Sequence, residues 1–329
     1  MVLEKPLPNL RLHADRQSRR RASQSRRQNG RRVKRCLLGG HHRSRALSKE
    51  VFQKGARRMV QSRLLSPADV YEGYFVPAMF LPWARVLLAR SAPRPGERVL
   101  DVACGTGIVA RQAAPLVGEG GTVVGLDMNP AMLAVARSSV IDAGPQITWR
   151  EGSALDLPFP TASFDLVFCQ HGLQFLPERL RAVREMHRVL VPGGRVSVMV
   201  LQALERHPVF ETLMKSVARY LSMPLSSVMI PFAMYDAVEL VDVFTEAGFR
   251  SIDVVAESTV VRFADRDEFV PRAVQSSAAA VPAFAKLGKP EQADLLKSVC
   301  EEVAPAVVPY FEGENVVFPM HAHVVMATS

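Results

Sequence analysis

Val99-Leu100-Asp101-Val102-Ala103-Cys104-Gly105-Thr106-Gly107 is the stretch that decides how this chain folds. The apolar run Arg98–Ala103 reads as a short strand, and Ile108–Val117 as a helix, with the two glycines between them. A glycine has no Cβ, so its backbone can lie close to a ligand. The first N–H groups of the following helix have no intrahelical partner and suit a carboxylate or phosphate. The spacing Gly105-x-Gly107-x-x-Ala110 also satisfies a nucleotide-binding fingerprint, which by itself does not name the cofactor.

Working outward, strands and helices alternate. Thr122–Asp127 reads as a second strand, and Asn129-Pro130 caps and opens the next helix. Ile147–Trp149, Phe164–Cys169 and Arg195–Leu201 read as further strands. Pro177–Leu190 reads as a helix stopped by Pro192-Gly193-Gly194. Later come helices near 207–222 and 236–247, a strand at Ser251–Val255, proline-separated helices over 264–308, and an alternating tail at 316–326. The pattern predicts an α/β fold, a Rossmann-like doubly wound sheet of seven strands with the last antiparallel and a helical insertion. The expected segments are a basic disordered extension at 1–58, a helical lid at 59–96, a core at 97–256, a cap at 257–312 and a final strand at 313–329. Asp127 ends the second strand about 20 residues beyond the glycine loop, where a carboxylate can accept from ribose hydroxyls. That position still admits either a nicotinamide dinucleotide or S-adenosylmethionine.

The wider strings separate the two. Asp101 lies inside the first strand, four residues before Gly105, where dinucleotide folds usually carry an apolar residue. With it come Val124–Leu133, Glu151–Pro160 followed by Ser163-Phe164-Asp165, and Glu185–Gly194. Four motifs in this order, over roughly 97–201, resemble class I S-adenosylmethionine-dependent methyltransferases. The branch is similar to the ubiquinone/menaquinone-biosynthesis enzymes. The resemblance implies that Asp101, Ala103 and the Gly105-Thr106-Gly107 backbone hold the methionine part of S-adenosylmethionine. It implies that Asp127 holds the ribose, that Met128 packs on the adenine, and that Ser153 and Ala154 lie at its edge. Gln170 would line the methionine end. Position 153 departs from the family pattern, which has Asp there; Ser accepts without charge.

His171 follows the fourth strand at the carboxyl edge of the sheet, where ligands bind, and is a candidate general base. Gln174 and Phe175 are pocket candidates by position. The aromatic stretch Tyr71–Trp83, with Tyr71 and Phe75 as pocket candidates, reads as short pieces broken by prolines. It is expected either to join the core or to form a lid. With the Ala/Val/Pro/Phe-rich cap it implies a largely apolar small-molecule acceptor.

Charge narrows the partners. Of 41 basic and 32 acidic residues, the first 58 positions hold 18 and 3, so residues 59–329 carry a net charge of −6. An acidic body is a poor nucleic-acid surface. Residues 1–58 read as an extension without function (with Met59 an alternative start), a basic arm for nucleic acid or anionic lipid, or a transit peptide. No apolar run has the ~18 residues of a membrane span, and a cytoplasmic location is expected. Cys36, Cys104, Cys169 and Cys300 form no metal pattern, and His321 and His323 share a strand face without a third ligand, so no metal is expected. Two rival classes are an NAD(P)-dependent oxidoreductase and a non-catalytic S-adenosylmethionine-binding regulator.

Overall fold

The computed structural model describes residues 66–139, 144–279 and 281–329. The readings of residues 1–58, including the Met59 start, therefore fall outside the described residues. Strands β1 (Arg98–Val102), β2 (Thr122–Asp127), β3 (Ile147–Glu151), β4 (Phe164–Gln170), β5 (Leu190–Leu201), β6 (Arg250–Phe263), β7 (Phe311–Glu312) and β8 (Asn315–Thr328) form one sheet. Its order is β3-β2-β1-β4-β5-β8-β6, with the two-residue β7 paired to β8. The pairs β1–β2, β2–β3, β1–β4 and β4–β5 are parallel, whereas β8 runs antiparallel to both β5 and β6. The doubly wound sheet with one antiparallel strand is thus as the sequence predicts, with β7 as a small addition.

Helices cover both faces because the central strands are apolar on both. Side chains alternate across a strand. Val99, Leu166 and Phe168 enter one core, and Leu100, Val102, Val167 and Cys169 the other. The first core is closed by α2 (Leu81–Ser91), α3 (Ile108–Val117), α6 (Pro208–Tyr220), α8 (Arg266–Ala279) and α10 (Lys289–Val307). The second is closed by α5 (Arg179–Val189) and α7 (Ala237–Glu246). The remaining helices are α1 (Pro67–Val70), α4 (Pro130–Ser138) and α9 (Pro282–Ala285).

Three elements differ from the sequence reading. β6 does not stop at Val255 but runs to Phe263, paired with β8 down to Phe263↔Val316. Residues 257–263 therefore belong to the sheet rather than to the cap, and the inserted helices begin at Arg266. The run Ser258-Thr259-Val260-Val261 is rich in β-branched residues that suit a pleated surface. β5 begins at Leu190 and passes through Pro192-Gly193-Gly194, with a register shift against β4 that absorbs the turn residues.

The third difference concerns the aromatic segment, whose prolines do not break it. α1, a π-helical stretch Tyr71–Phe80 and α2 run on from one another over 67–91. At its end the Leu81 N–H donates to the Val76 carbonyl, five residues back. Proline removes a donor and crowds the carbonyl four residues earlier, and a widened turn relieves both. Ser66 and Asp69 start the segment with a reciprocal capping box.

Candidate active site

The site is built where β1, β2 and β4 end. Asp101 is 1% exposed, and its Oδ2 accepts from the Ala110 N–H at 3.0 Å in the first turn of α3. Burial, with Asp127 nearby as a lesser cause, raises its carboxyl to about 7. Ala103 turns the chain with a φ of 54°, in the left-handed region. Its methyl lies where a Cβ on Gly172 would come within 2.7 Å, which fits the two turns against each other.

The two loop glycines serve different ends. A Cβ on Gly105 would meet only the Tyr71 ring, at ordinary contact distance with the hydroxyl at 3.7 Å, so the lid lies directly over this peptide. A Cβ on Gly107 would overlap the Trp149 indole, as would one on Gly125. Gly107 thus serves packing, and its φ of 85° is a second reason for glycine. Trp149 on β3 was read only as a strand residue; two glycines facing it were the available signal.

Asp127 binds the loop from the neighbouring strand. Its Oδ2 accepts from the Gly105 N–H at 2.7 Å and its Oδ1 from the Asn129 N–H at 2.8 Å. Met128 beside it is 73% exposed. The Ser153 Oγ accepts from the Leu155 N–H at 3.1 Å, while Ala154 is buried with Leu126 and Leu157. The Thr106 Oγ1 is buried without a hydrogen-bond partner.

The lid segment meets this loop at two points and the end of β4 at a third. Tyr71 stands over Gly105, and burial raises its phenol above the usual range. Arg111 on α3 donates to the Thr106 carbonyl at 2.8 Å and to the Glu72 carboxylate at 2.6 Å. The Gln170 amide donates to the Phe80 carbonyl at 3.0 Å. Sequence reading missed the Glu72–Arg111 pair; the lone acid in an apolar aromatic stretch was its only trace.

His171 has a φ of 52°, and its backbone N–H donates to the Met199 carbonyl at 2.8 Å. Its ring is buried edge-on to Phe80 and Trp83, and neither ring nitrogen has a partner. Burial pushes the imidazole down to about 3, so it is neutral at ordinary pH. Gln174 is buried at 2% exposure, whereas Phe175 is 51% exposed. Of the aromatic candidates, Tyr71 joins Phe80, with ring centroids 4.7 Å apart. Phe75 instead has Tyr74 and Phe263 as ring partners and lies in the core against β6.

These residues fit S-adenosylmethionine. The buried acid Asp101, the Gly105 peptide, the unpartnered Thr106 hydroxyl and the strand-end acid Asp127 all lie on or beside the loop after β1. His321 and His323 do not join them: the His321 N–H donates to the Nε2 of His207, whose Nδ1 donates to the Ala203 carbonyl. Among the described residues no group of three His, Cys, Asp or Glu could hold a metal ion, and no helix is long and apolar enough to cross a membrane.

Comparison with known proteins agrees with this geometry. Residues 99–194 match the family model of a methyltransferase domain. A 2-phytyl-1,4-naphtoquinone methyltransferase from Synechococcus elongatus is 40% identical over 119 residues, covering 36% of this chain and 51% of that protein. A demethylmenaquinone methyltransferase from Lysinibacillus sphaericus is 40% identical over 39% of this chain and 54% of that one. The chloroplastic 2-phytyl-1,4-beta-naphthoquinone methyltransferase of Arabidopsis thaliana is 40% identical over 44% and 56%. The chain spans about half the length of the curated relatives it matches. Over residues 99–194 the chain is thus similar to methyltransferase domains, and the relatives it matches include quinone-type methyltransferases.

Proposed function

We propose that the protein transfers a methyl group from S-adenosylmethionine to a small, largely apolar or aromatic acceptor. The observation that supports this best is that two acids brace one loop from either end: Asp101 on β1, bonded to the Ala110 N–H where α3 starts, and Asp127, bonded to the Gly105 N–H. Asp101, Ala103 and the Gly105–Gly107 backbone would hold the methionine part, and Asp127 the ribose. Met128, Ser153 and Ala154 would border the adenine, and Gln170 would border the methionine end. When bound, the sulfonium supplies an electrophilic methyl group.

The chain's own task is then to align the acceptor and exclude water. Tyr71, Phe80, Trp83 and the turn after β4 would enclose the acceptor, with Gln174 and the more exposed Phe175 beside it. A hydroxyl or enol acceptor loses one proton on methylation. Neutral His171 has a lone pair to take it, although its low basicity makes it a weak base in the free protein. Phe75 would act on the acceptor only through the packing of the lid.

The relatives' names make a naphthoquinone-type ring the first acceptor to test. We also propose a cytoplasmic location, and no nucleic-acid substrate, the second supported by the acidic charge of residues 59–329. The decisive experiment incubates the purified protein with S-adenosylmethionine and a panel of ring acceptors, and follows a gain of one methylene mass by mass spectrometry. Binding of a nicotinamide dinucleotide without S-adenosylmethionine binding would overturn the reading.

A further inference from the structure

The lid and the turn after β4 bury polar groups that the chain does not pair. Trp83 is 0% exposed and its indole N–H donates to nothing among the described residues. Both ring nitrogens of His171 and the amide oxygens of Gln170 and Gln174 are also buried and unpaired. Two of these side chains meet directly, and a third is tied to them through Phe80. The Trp83 and His171 rings meet edge-on with centroids 6.1 Å apart, and Phe80 approaches the same imidazole at 6.0 Å. The carbonyl of Phe80 holds the Gln170 amide, leaving the other end of that side chain free. Gln174 follows on the single helical turn Leu173–Phe175.

Folded proteins pair nearly all their buried polar atoms, so a group of exceptions needs an explanation. These exceptions gather on two adjoining elements at the carboxyl edge of the sheet, where such folds take their ligands. A polar group on a bound ligand would pair several of them at once.

The donor and acceptor types define that group. An indole N–H only donates, a neutral imidazole donates once and accepts once, and amide oxygens accept. The set therefore offers two donors and three acceptors. None carries charge, because burial keeps His171 neutral.

We propose that Trp83, Gln170, His171 and Gln174 form an uncharged hydrogen-bonding subsite for a hydroxyl group on an apolar ring of the methyl acceptor, with Trp83 as the residue that selects for it. This rests on the methyltransferase reading above. A hydroxyl satisfies both sides: its oxygen accepts from the indole, and its hydrogen goes to an amide oxygen or the imidazole. A carboxylate would face amide oxygens with no hydrogen to give them. An ammonium would leave the indole N–H unpaired. Burying either charge against neutral partners is unfavourable. The subsite thus sorts acceptors by charge and by hydroxyl content, which the aromatic walls alone do not do.

The test uses the full chain and three probes, 1-naphthol, naphthalene and 1-naphthoate, titrated by ligand-observed NMR with and without S-adenosylhomocysteine. The expected ranking places 1-naphthoate well below 1-naphthol. Trp83→Phe keeps an aromatic ring, though a smaller one, and removes the donor; it should weaken 1-naphthol roughly fivefold more than it weakens naphthalene. Gln174→Leu should give the same pattern and serves if Trp83→Phe does not fold. Equal losses for 1-naphthol and naphthalene, an unchanged 1-naphthol affinity in both variants, 1-naphthoate binding as tight as 1-naphthol, or no 1-naphthol binding to the parent would each overturn the subsite. Calorimetry of S-adenosylhomocysteine on the same samples separates the two readings. Absence of that binding removes the methyltransferase proposal, while the naphthol series without the nucleoside decides the subsite alone.

Discussion

The carboxylate of Asp127 accepts a hydrogen bond from the Gly105 N–H at 2.7 Å, so the end of β2 fixes the shape of the loop after β1. Its second oxygen is also occupied, by the Asn129 N–H. Asp127→Ala should weaken S-adenosylmethionine binding by ~1–3 kcal/mol, because it removes the proposed ribose acceptor and two backbone bonds. Asp127→Asn should not restore it, since one amide NH2 would then face a backbone N–H. Calorimetric affinities of the two variants check this; an unchanged affinity in Asp127→Ala removes the residue from the site.

Gly107 and Trp149 occupy a shared volume. Gly107→Ala should destabilise the fold and weaken cofactor binding, because the new methyl overlaps the indole at a backbone angle that disfavours side chains. Adding Trp149→Leu should recover part of the loss but not all, since the positive φ remains. Thermal melts of both variants measure the coupling, and simple additivity would contradict it.

Asp101 should make the cofactor-free protein less stable as pH rises. Its folded pKa, about 7, lies above the unfolded value. The native state therefore holds the proton more tightly, and this contribution to stability is present at low pH and lost between about 4 and 7. Asp101→Asn should remove that loss, so its melting temperature should gain on the parent's across the same window. Parallel lines in a pH series of melts would refute the assignment.

His171 acts in the opposite sense. Its folded pKa of about 3 lies below the ordinary value for histidine. The stability it contributes is present above pH ~6.5 and falls away as pH drops towards 3, because the unfolded chain binds the proton first. His171→Asn should melt with a weaker acid dependence in that range. The same variant should lower turnover of a hydroxylated ring while leaving S-adenosylhomocysteine affinity within about twofold.

The Glu72–Arg111 pair joins the lid to the loop, with side-chain exposures of 27% and 9%. Glu72→Gln should leave Arg111 short of its anion and loosen the 67–91 segment. Faster proteolysis within that segment, slowed again by saturating S-adenosylhomocysteine, is the expected result. Identical cleavage rates would show that the pair does not hold the lid.

Much of this was readable from local patterns. Short apolar strands, the cap at Asn129 and the glycine loop each carry their signal within a few residues. Asp101 could be read because an acid inside the first strand, four residues before Gly105, is unusual there, and Asp127 because it ends the second strand. Contacts between distant segments carried no such signal. The Arg111 bridge to Glu72 spans 39 positions and the Gln170 bond to Phe80 spans 90. The lid misled for another reason. Proline argues against an α-helix, and the segment instead takes a wider one that sequence rules seldom anticipate. Trp83 passed for an apolar wall, because only the fold reveals that its N–H lacks a partner.

The place of β8 between β5 and β6 bears on how the chain assembles. β6 has no other partner in the sheet, so its fourteen residues stay unpaired until β8 has been made. The cap helices must be synthesised first, since they lie between the two strands in the chain. Bringing these ends together is a long-range closure that costs entropy before it gains contacts. The nucleotide-binding half, β1 to β5, has no such dependence and can pair as it emerges. A ribosome-bound chain stopped before Asn315 would therefore hold the half that carries the glycine loop and leave β6 exposed, a natural handle for a chaperone.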